Sequence, residues 1–97
     1  MNLDNLVSIA RQLSSTDNAS PVGLTWTDSS TNLAGFNDYR STVSGGSYVK
    51  INSSLVPTSA FTDSTIQSGF TYYYVTTAVD STGVESAYSN ETSATVS

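Results

Sequence analysis

Eight carboxylates stand against three basic side chains in this 97-residue sequence, and Asp28, Asp38, Asp63, Asp80 and Glu85 are the candidates for acid–base work. General acid–base catalysis needs two positioned groups whose pKa values are held apart. No such pair is legible here. Asp28, Asp80 and Glu85 fall in stretches that read as loops and turns, and Asp80-Ser81-Thr82-Gly83 is accounted for by turn chemistry alone. A serine nucleophile would need a base beside it, but the chain has no His, and Lys50 is its single lysine. The absence of Cys removes disulfides and thiolate metal sites, and the absence of His removes the commonest metal ligand. A calcium site needs several converging oxygens, and Asp28 with Asp80 lacks the ligand-rich loop to complete one. The expectation is therefore no catalytic residue, no metal and no cofactor.

The charge balance narrows the partners. At a net charge of −5 the chain repels phosphate backbones, and no basic patch reverses that. Nucleic acid and anionic membrane surfaces are excluded as partners on this reading. No apolar run approaches membrane-spanning length. The N-terminus lacks a basic segment followed by an apolar core, so no signal peptide is expected. The chain is then either cut from a larger exported protein or complete and made in the cytosol. Ser and Thr make up about a third of the residues, a bias toward turns and strands that points to an all-β domain.

The elements that must position these groups are organised around Thr71–Asp80. This is the longest β-branched and aromatic run, and it is closed by Ser68-Gly69 before and Asp80 to Gly83 after. Both of its alternating sets carry bulk, so it reads as a central strand with neighbours over part of both faces. Upstream, Val22, Leu24 and Trp26 alternate with small or polar residues in a half-buried strand that follows Pro21. Residues 28–35 read as a loop with Leu33 as its plug. Strands are expected at 36–41, 48–51, 60–63 and in the second half of 86–96, with Ile66 as a lone core anchor. Residues 1–20 are ambiguous: Leu3, Leu6, Val7, Ala10 and Leu13 fall at helical spacing, while residues 5–10 also read as a first edge strand. The strand is favoured, because a lone short helix without a packing partner is marginal. About seven short strands separated by turn signals describe an immunoglobulin-like antiparallel β-sandwich.

The residues from Pro21 to Val96 resemble a fibronectin type III domain of the bacterial and phage sort. The resemblance is carried by Val22-x-Leu24-x-Trp26-Thr27, by Ala34-Gly35-Phe36-Asn37-x-Tyr39-Arg40-Ser41 and by Ser44-Gly45-Gly46-x-Tyr48-x-Lys50-Ile51. It continues through Phe61-Thr62-Asp63, Thr71-Tyr72-Tyr73-Tyr74-x-x-x-Ala78-Val79-Asp80 and Gly83-x-Glu85-Ser86-x-x-Ser89-Asn90-Glu91. It implies a fibronectin type III topology over residues 21–97, preceded by an N-terminal segment of residues 1–20. Trp26 would lie in the core, Lys50 would be exposed, and the Tyr72 hydroxyl would tie its strand to the preceding loop. Three positions depart from the family, which would have apolar, inward-pointing residues where Asp38, Thr76 and Thr92 stand here. These three would form a polar row across the inner face of one sheet. A buried unpaired carboxylate there would be costly.

Two functions from different classes follow. In one, the chain is a non-catalytic spacer or weak binding module of an exported bacterial protein, with a polysaccharide or protein ligand. Tyr39, Tyr73 and Val75 on an outer sheet face, with Tyr88 in the last connection, would then offer rings for stacking on sugars or for a protein contact. Cross-strand pairing that merely shields the sheet accounts for the same residues. In the other, the chain is a virion decoration subunit, forming oligomers on a virion surface. Leu3, Leu6, Val7 and Ile9 would form an arm docking on a neighbour.

Overall fold

A computed structural model describes the backbone of residues 7–12 and, apart from the Thr27 side chain, all of residues 21–28 and 32–96. Seven strands make up the regular structure among these residues: β1 (Val7–Gln12), β2 (Val22–Thr27), β3 (Leu33–Ser41), β4 (Val49–Lys50), β5 (Ala60–Asp63), β6 (Thr71–Asp80) and β7 (Thr92–Thr95). They form a three-stranded sheet in the order β1-β2-β5 and a four-stranded sheet in the order β4-β3-β6-β7. Every neighbouring pair is antiparallel. The all-β sandwich read from the sequence is the fold.

The period-2 pattern of β2 sends Val22, Leu24 and Trp26 inward, where all three are buried. They meet Phe36, Tyr72, Tyr74, Ala78 and Ala94 from the facing sheet, with Val56 and Ile66 supplied by connections and Val96 by the residue after β7. Trp26 and Phe36 meet edge to face at 5.2 Å, an aromatic geometry worth roughly 0.5–1.5 kcal/mol beyond area burial. Strand β6 is buried on both faces from Tyr74 to Asp80. Its Tyr72 hydroxyl accepts the Gln67 N–H at 2.9 Å, the strand-to-loop tie that the resemblance implied.

The structure corrects three sequence expectations. Leu33 is not a plug: it is 37% exposed and opens β3, which starts three residues before Phe36 through a bulge between Leu33 and Gly35. Val7 and Ile9, expected on a docking arm, lie in β1 opposite Thr27 and Thr25 of the chain's own β2. They belong to an edge strand of the sandwich, while Leu3 and Leu6 lie outside the described residues. Val75, expected on an open face, is 3% exposed. It stands opposite Tyr39 in the β3–β6 register, and on its other side the segment before β7 runs along β6.

Candidate functional site

That segment is built from a repeated hydroxyl relay. Ser86 and Ser89 send their backbone N–H groups to the carbonyls of Ala78 and Thr76, each at 2.8 Å. Their side chains complete the pairing in place of carbonyls. Ser86 Oγ accepts the Ala78 N–H and donates to the Ala87 carbonyl, each at 2.9 Å. Ser89 Oγ accepts the Thr76 N–H and donates to the Asn90 carbonyl, again at 2.9 Å. Three residues of the segment thus span two residues of β6, a mismatch that an ordinary ladder cannot hold but a hydroxyl can. Between the two pinned serines, Tyr88 projects outward and is 52% exposed.

The Tyr88 ring meets two other tyrosines. Tyr39 meets it at 5.2 Å and 66°, and Tyr48 at 5.2 Å and 68°, both edge to face. Each of these two is fixed in turn by a carboxylate. Glu85 Oε2 accepts the Tyr39 hydroxyl, the Thr77 hydroxyl and, at 3.3 Å, Asn37 Nδ2. Glu91 accepts the Tyr48 hydroxyl, Ser44 Oγ at 2.7 Å and the Gly45 N–H at 2.6 Å. Glu91 therefore ties the β3–β4 turn to the strand on the far side of the sheet. Gly45 sits at φ 82°, a left-handed conformation that suits glycine.

The electrostatics follow from this arrangement. Partial burial works to raise the Glu85 carboxyl, but donors from Thr77, Tyr39 and Asn37, with the Lys50 charge, outweigh it and hold it below the usual range. The Tyr39 hydroxyl is pushed up to about 12, by loss of solvent first and by Glu85 second. Tyr48 is pushed up to about 12 in the same way, with Glu91 as its carboxylate. Both phenols stay protonated donors at neutral pH. An open groove of about 450 Å³ lies along Tyr39, Thr77, Glu85 and residues 86–88.

Of the residues singled out from the sequence, the structure brings Tyr39 and Tyr88 together. Tyr73 is half-buried on the same outer face, between Ser41 and Ser93 in register. Tyr48 and the two glutamates were missed as members of the cluster. Glu85 and Glu91 were legible only as part of the final connection, and nothing in their spacing reports which strands they reach. The polar inner row is partly assembled: Asp38 stands opposite Thr76, and Thr92 is displaced by one pair to face Tyr74. Asp38 is fully buried with no hydrogen-bond partner on either carboxylate oxygen. Burial pushes its carboxyl up to about 6, against a smaller lowering effect of the neighbouring Thr76 hydroxyl. That hydroxyl gives its proton to the Asn37 carbonyl at 2.9 Å.

The other inward carboxylate is well satisfied. Asp63 accepts Arg40 Nη1 at 2.9 Å and the Tyr74 hydroxyl at 2.8 Å on one oxygen, and the Thr65 hydroxyl at 2.7 Å and N–H at 3.1 Å on the other. Asp80 closes its turn onto the Thr82 N–H and hydroxyl and the Val84 N–H. Among the described residues no group of three or more Asp and Glu is placed to hold a metal ion. Glu85, Glu91 and Asp80 thus serve as hydrogen-bond hubs that shape the surface, and Asp63 as one in the interior.

No protein-family model matches the sequence. Over 59 residues, 61% of the chain, it is 49% identical to an amylopullulanase of Thermoanaerobacter thermohydrosulfuricus. Over 70 residues, 72% of the chain, it is 41% identical to an amylopullulanase of Thermoanaerobacterium thermosulfurigenes. The chain spans only about 4% of each of these relatives. Among solved structures it superposes on a Fn3-like protein of Clostridium thermocellum with a TM-score of 0.78 at 32% identity, over 91% of this chain and 85% of that one. Joined to the two-sheet order, the core tryptophan and the tyrosine tie of β6, this match over nearly full length shows that the chain belongs to the Fn3-like, or fibronectin type III, domain family.

Proposed function

We propose that the chain is a non-catalytic accessory module of a secreted bacterial polysaccharide-degrading enzyme, where it spaces neighbouring domains and adds weak contact to the substrate. The observation that carries this reading is the identity of 41–49% with short segments of much longer amylopullulanases. A stretch that fills so little of those proteins is a part of them, and it aligns with 61–72% of the present chain. The chemistry agrees: Asp80 is tied up in a turn, Asp63 in the Arg40 clasp and Glu85 and Glu91 around tyrosine hydroxyls, while Asp38 is buried away from the surface. The alternative of a virion subunit receives no support from these relatives. Removing residues 21–96 from a parent enzyme is expected to leave turnover of a small soluble glycoside unchanged while lowering activity on the intact polymer. Release of reducing sugar by the chain alone would overturn the reading.

A further inference from the structure

We propose that the groove between Tyr39 and Tyr88 holds a segment of an uncharged polysaccharide, with the Tyr88 ring as its platform and Glu85 as its hydroxyl acceptor. This rests on the accessory-module reading and names the ligand for one surface of it.

A single exposed aromatic ring is ordinary; three features set this one apart. It is held in place before any ligand arrives, pinned through Ser86 and Ser89 and braced by Tyr39 and Tyr48. Little ordering remains to be done on binding, so a shallow contact can still give measurable affinity. The C–H faces of a pyranose ring carry slight positive charge and match the negative face of a phenol. Unsatisfied polar groups also stand at the rim. Glu85 Oε1 accepts from no described residue, since all three internal donors converge on Oε2. Lys50, opposite Tyr39 in the β3–β4 register and exposed, brings a donor to the same face. One acceptor, one donor and a flat ring are what a polyol recognises. The volume of about 450 Å³ falls within the roughly 300–1,000 Å³ of small-molecule clefts.

Charge decides between classes of glycan. Glu85 lines the groove, Glu91 holds the Tyr48 ring that meets Tyr88, and the whole chain carries −5. A polyuronate or a phosphorylated glycan would bring like charge into the groove. A basic peptide segment suits the site less than its acidity suggests. Both Glu91 oxygens and Glu85 Oε2 already accept internal donors, which leaves Glu85 Oε1 as the one oxygen of the two glutamates that accepts none. One oxygen serves a sugar hydroxyl well and a desolvated cation poorly.

The test is an NMR titration of the ¹⁵N-labelled chain with pullulan and, in parallel, with polygalacturonate at equal sugar concentration. Pullulan is expected to shift the amide signals of Tyr39 and of residues 85–89, and polygalacturonate to leave them in place. Tyr88→Ala, an exposed change, is expected to weaken pullulan binding about tenfold, while Val49→Ala, an exposed change in β4 outside the groove, leaves it unaltered. Absence of pullulan shifts, shifts elsewhere only, equal response to polygalacturonate, or unchanged binding by Tyr88→Ala would each overturn the inference. The two readings fail separately. A parent gene without a polysaccharide-acting domain would sink the accessory role even if pullulan binds. A parent gene with one, and no shifts, would sink only the groove.

Discussion

Asp63 of the three-stranded sheet receives the Arg40 guanidinium from the four-stranded sheet at 2.9 Å, and the pair clasps the sandwich across its interior. The aspartate is 2% exposed and the arginine side chain 25%, with its guanidinium 4.9 Å from the centre of the Tyr72 ring. Burial alone would raise the Asp63 carboxyl, but Thr65, Arg40 and Tyr74 outweigh it and hold it below the usual carboxylate range.

Removing one partner of a buried pair leaves the other charge uncompensated. Because Arg40 reaches partly into solvent, the loss should fall at the lower end of the buried range. Asp63→Ala is expected to lower unfolding free energy by about 3 kcal/mol, read from urea melts at pH 7. A change within about 0.5 kcal/mol, typical of a surface site, would show that the clasp contributes nothing. Since the folded carboxyl lies below its unfolded value, the contribution is present above pH ~4 and fades as pH falls further.

Asp38 has the opposite sign. Its carboxyl lies at about 6 in the folded chain against an ordinary 3.8, so the unfolded chain ionises first. Stability from this group is full below pH ~4, declines as pH rises toward 6 and is flat above. Two pKa units correspond to roughly 3 kcal/mol. Asp38→Val is expected to raise stability at pH 7 by about that order and to remove the decline, as seen in melts at pH 4 and pH 7. A variant less stable than the parent at pH 7 would refute the unpaired-charge account.

Ser86→Ala and Ser89→Ala each strip the partner from one β6 amide. An unsatisfied buried donor costs about 1–3 kcal/mol. Hydrogen exchange should speed up at Ala78 in the first variant and at Thr76 in the second. The Tyr88 contact to Tyr39 should loosen in both. Unchanged exchange at these two amides would mean that backbone pairing alone holds the segment.

Gly35 has a tight neighbour. A β-carbon there would lie 2.5 Å from Leu55 Cγ and 2.8 Å from the Val56 carbonyl oxygen. Leu55 can turn away, but the Val56 carbonyl is held by the Phe36 N–H at 2.8 Å. Gly35→Ala is expected to cost about 1–3 kcal/mol, the range for overpacking, in the same urea melts.

The strands were readable because their signals are local. Val22, Leu24 and Trp26 alternate, and Thr71–Asp80 is a dense run closed by turn residues, so each element declares itself without its neighbours. The same local reading failed at Leu33, where an apolar residue in a polar stretch looks like a plug but sits in a bulged strand end. It failed at Val75, which shares the outer face with Tyr73 by alternation and is nevertheless buried. The site was half legible. Tyr39 and Tyr88 can be singled out as aromatics, but their meeting depends on Ser86 and Ser89 setting a three-for-two register. Glu85 and Glu91 join residues more than 40 positions away, and no spacing rule reports a contact of that range.

The serine relay also has a bearing on how this domain keeps company. Along residues 76–78 the sheet margin ends in side-chain oxygens, and the carbonyls of Ala87 and Asn90 are turned back onto those same hydroxyls. A foreign strand arriving there finds no evenly spaced row of free amides and carbonyls to copy, which is the feature that lets exposed sheets zip into aggregates. The device that displays a tyrosine on one side thereby blunts the border beside it.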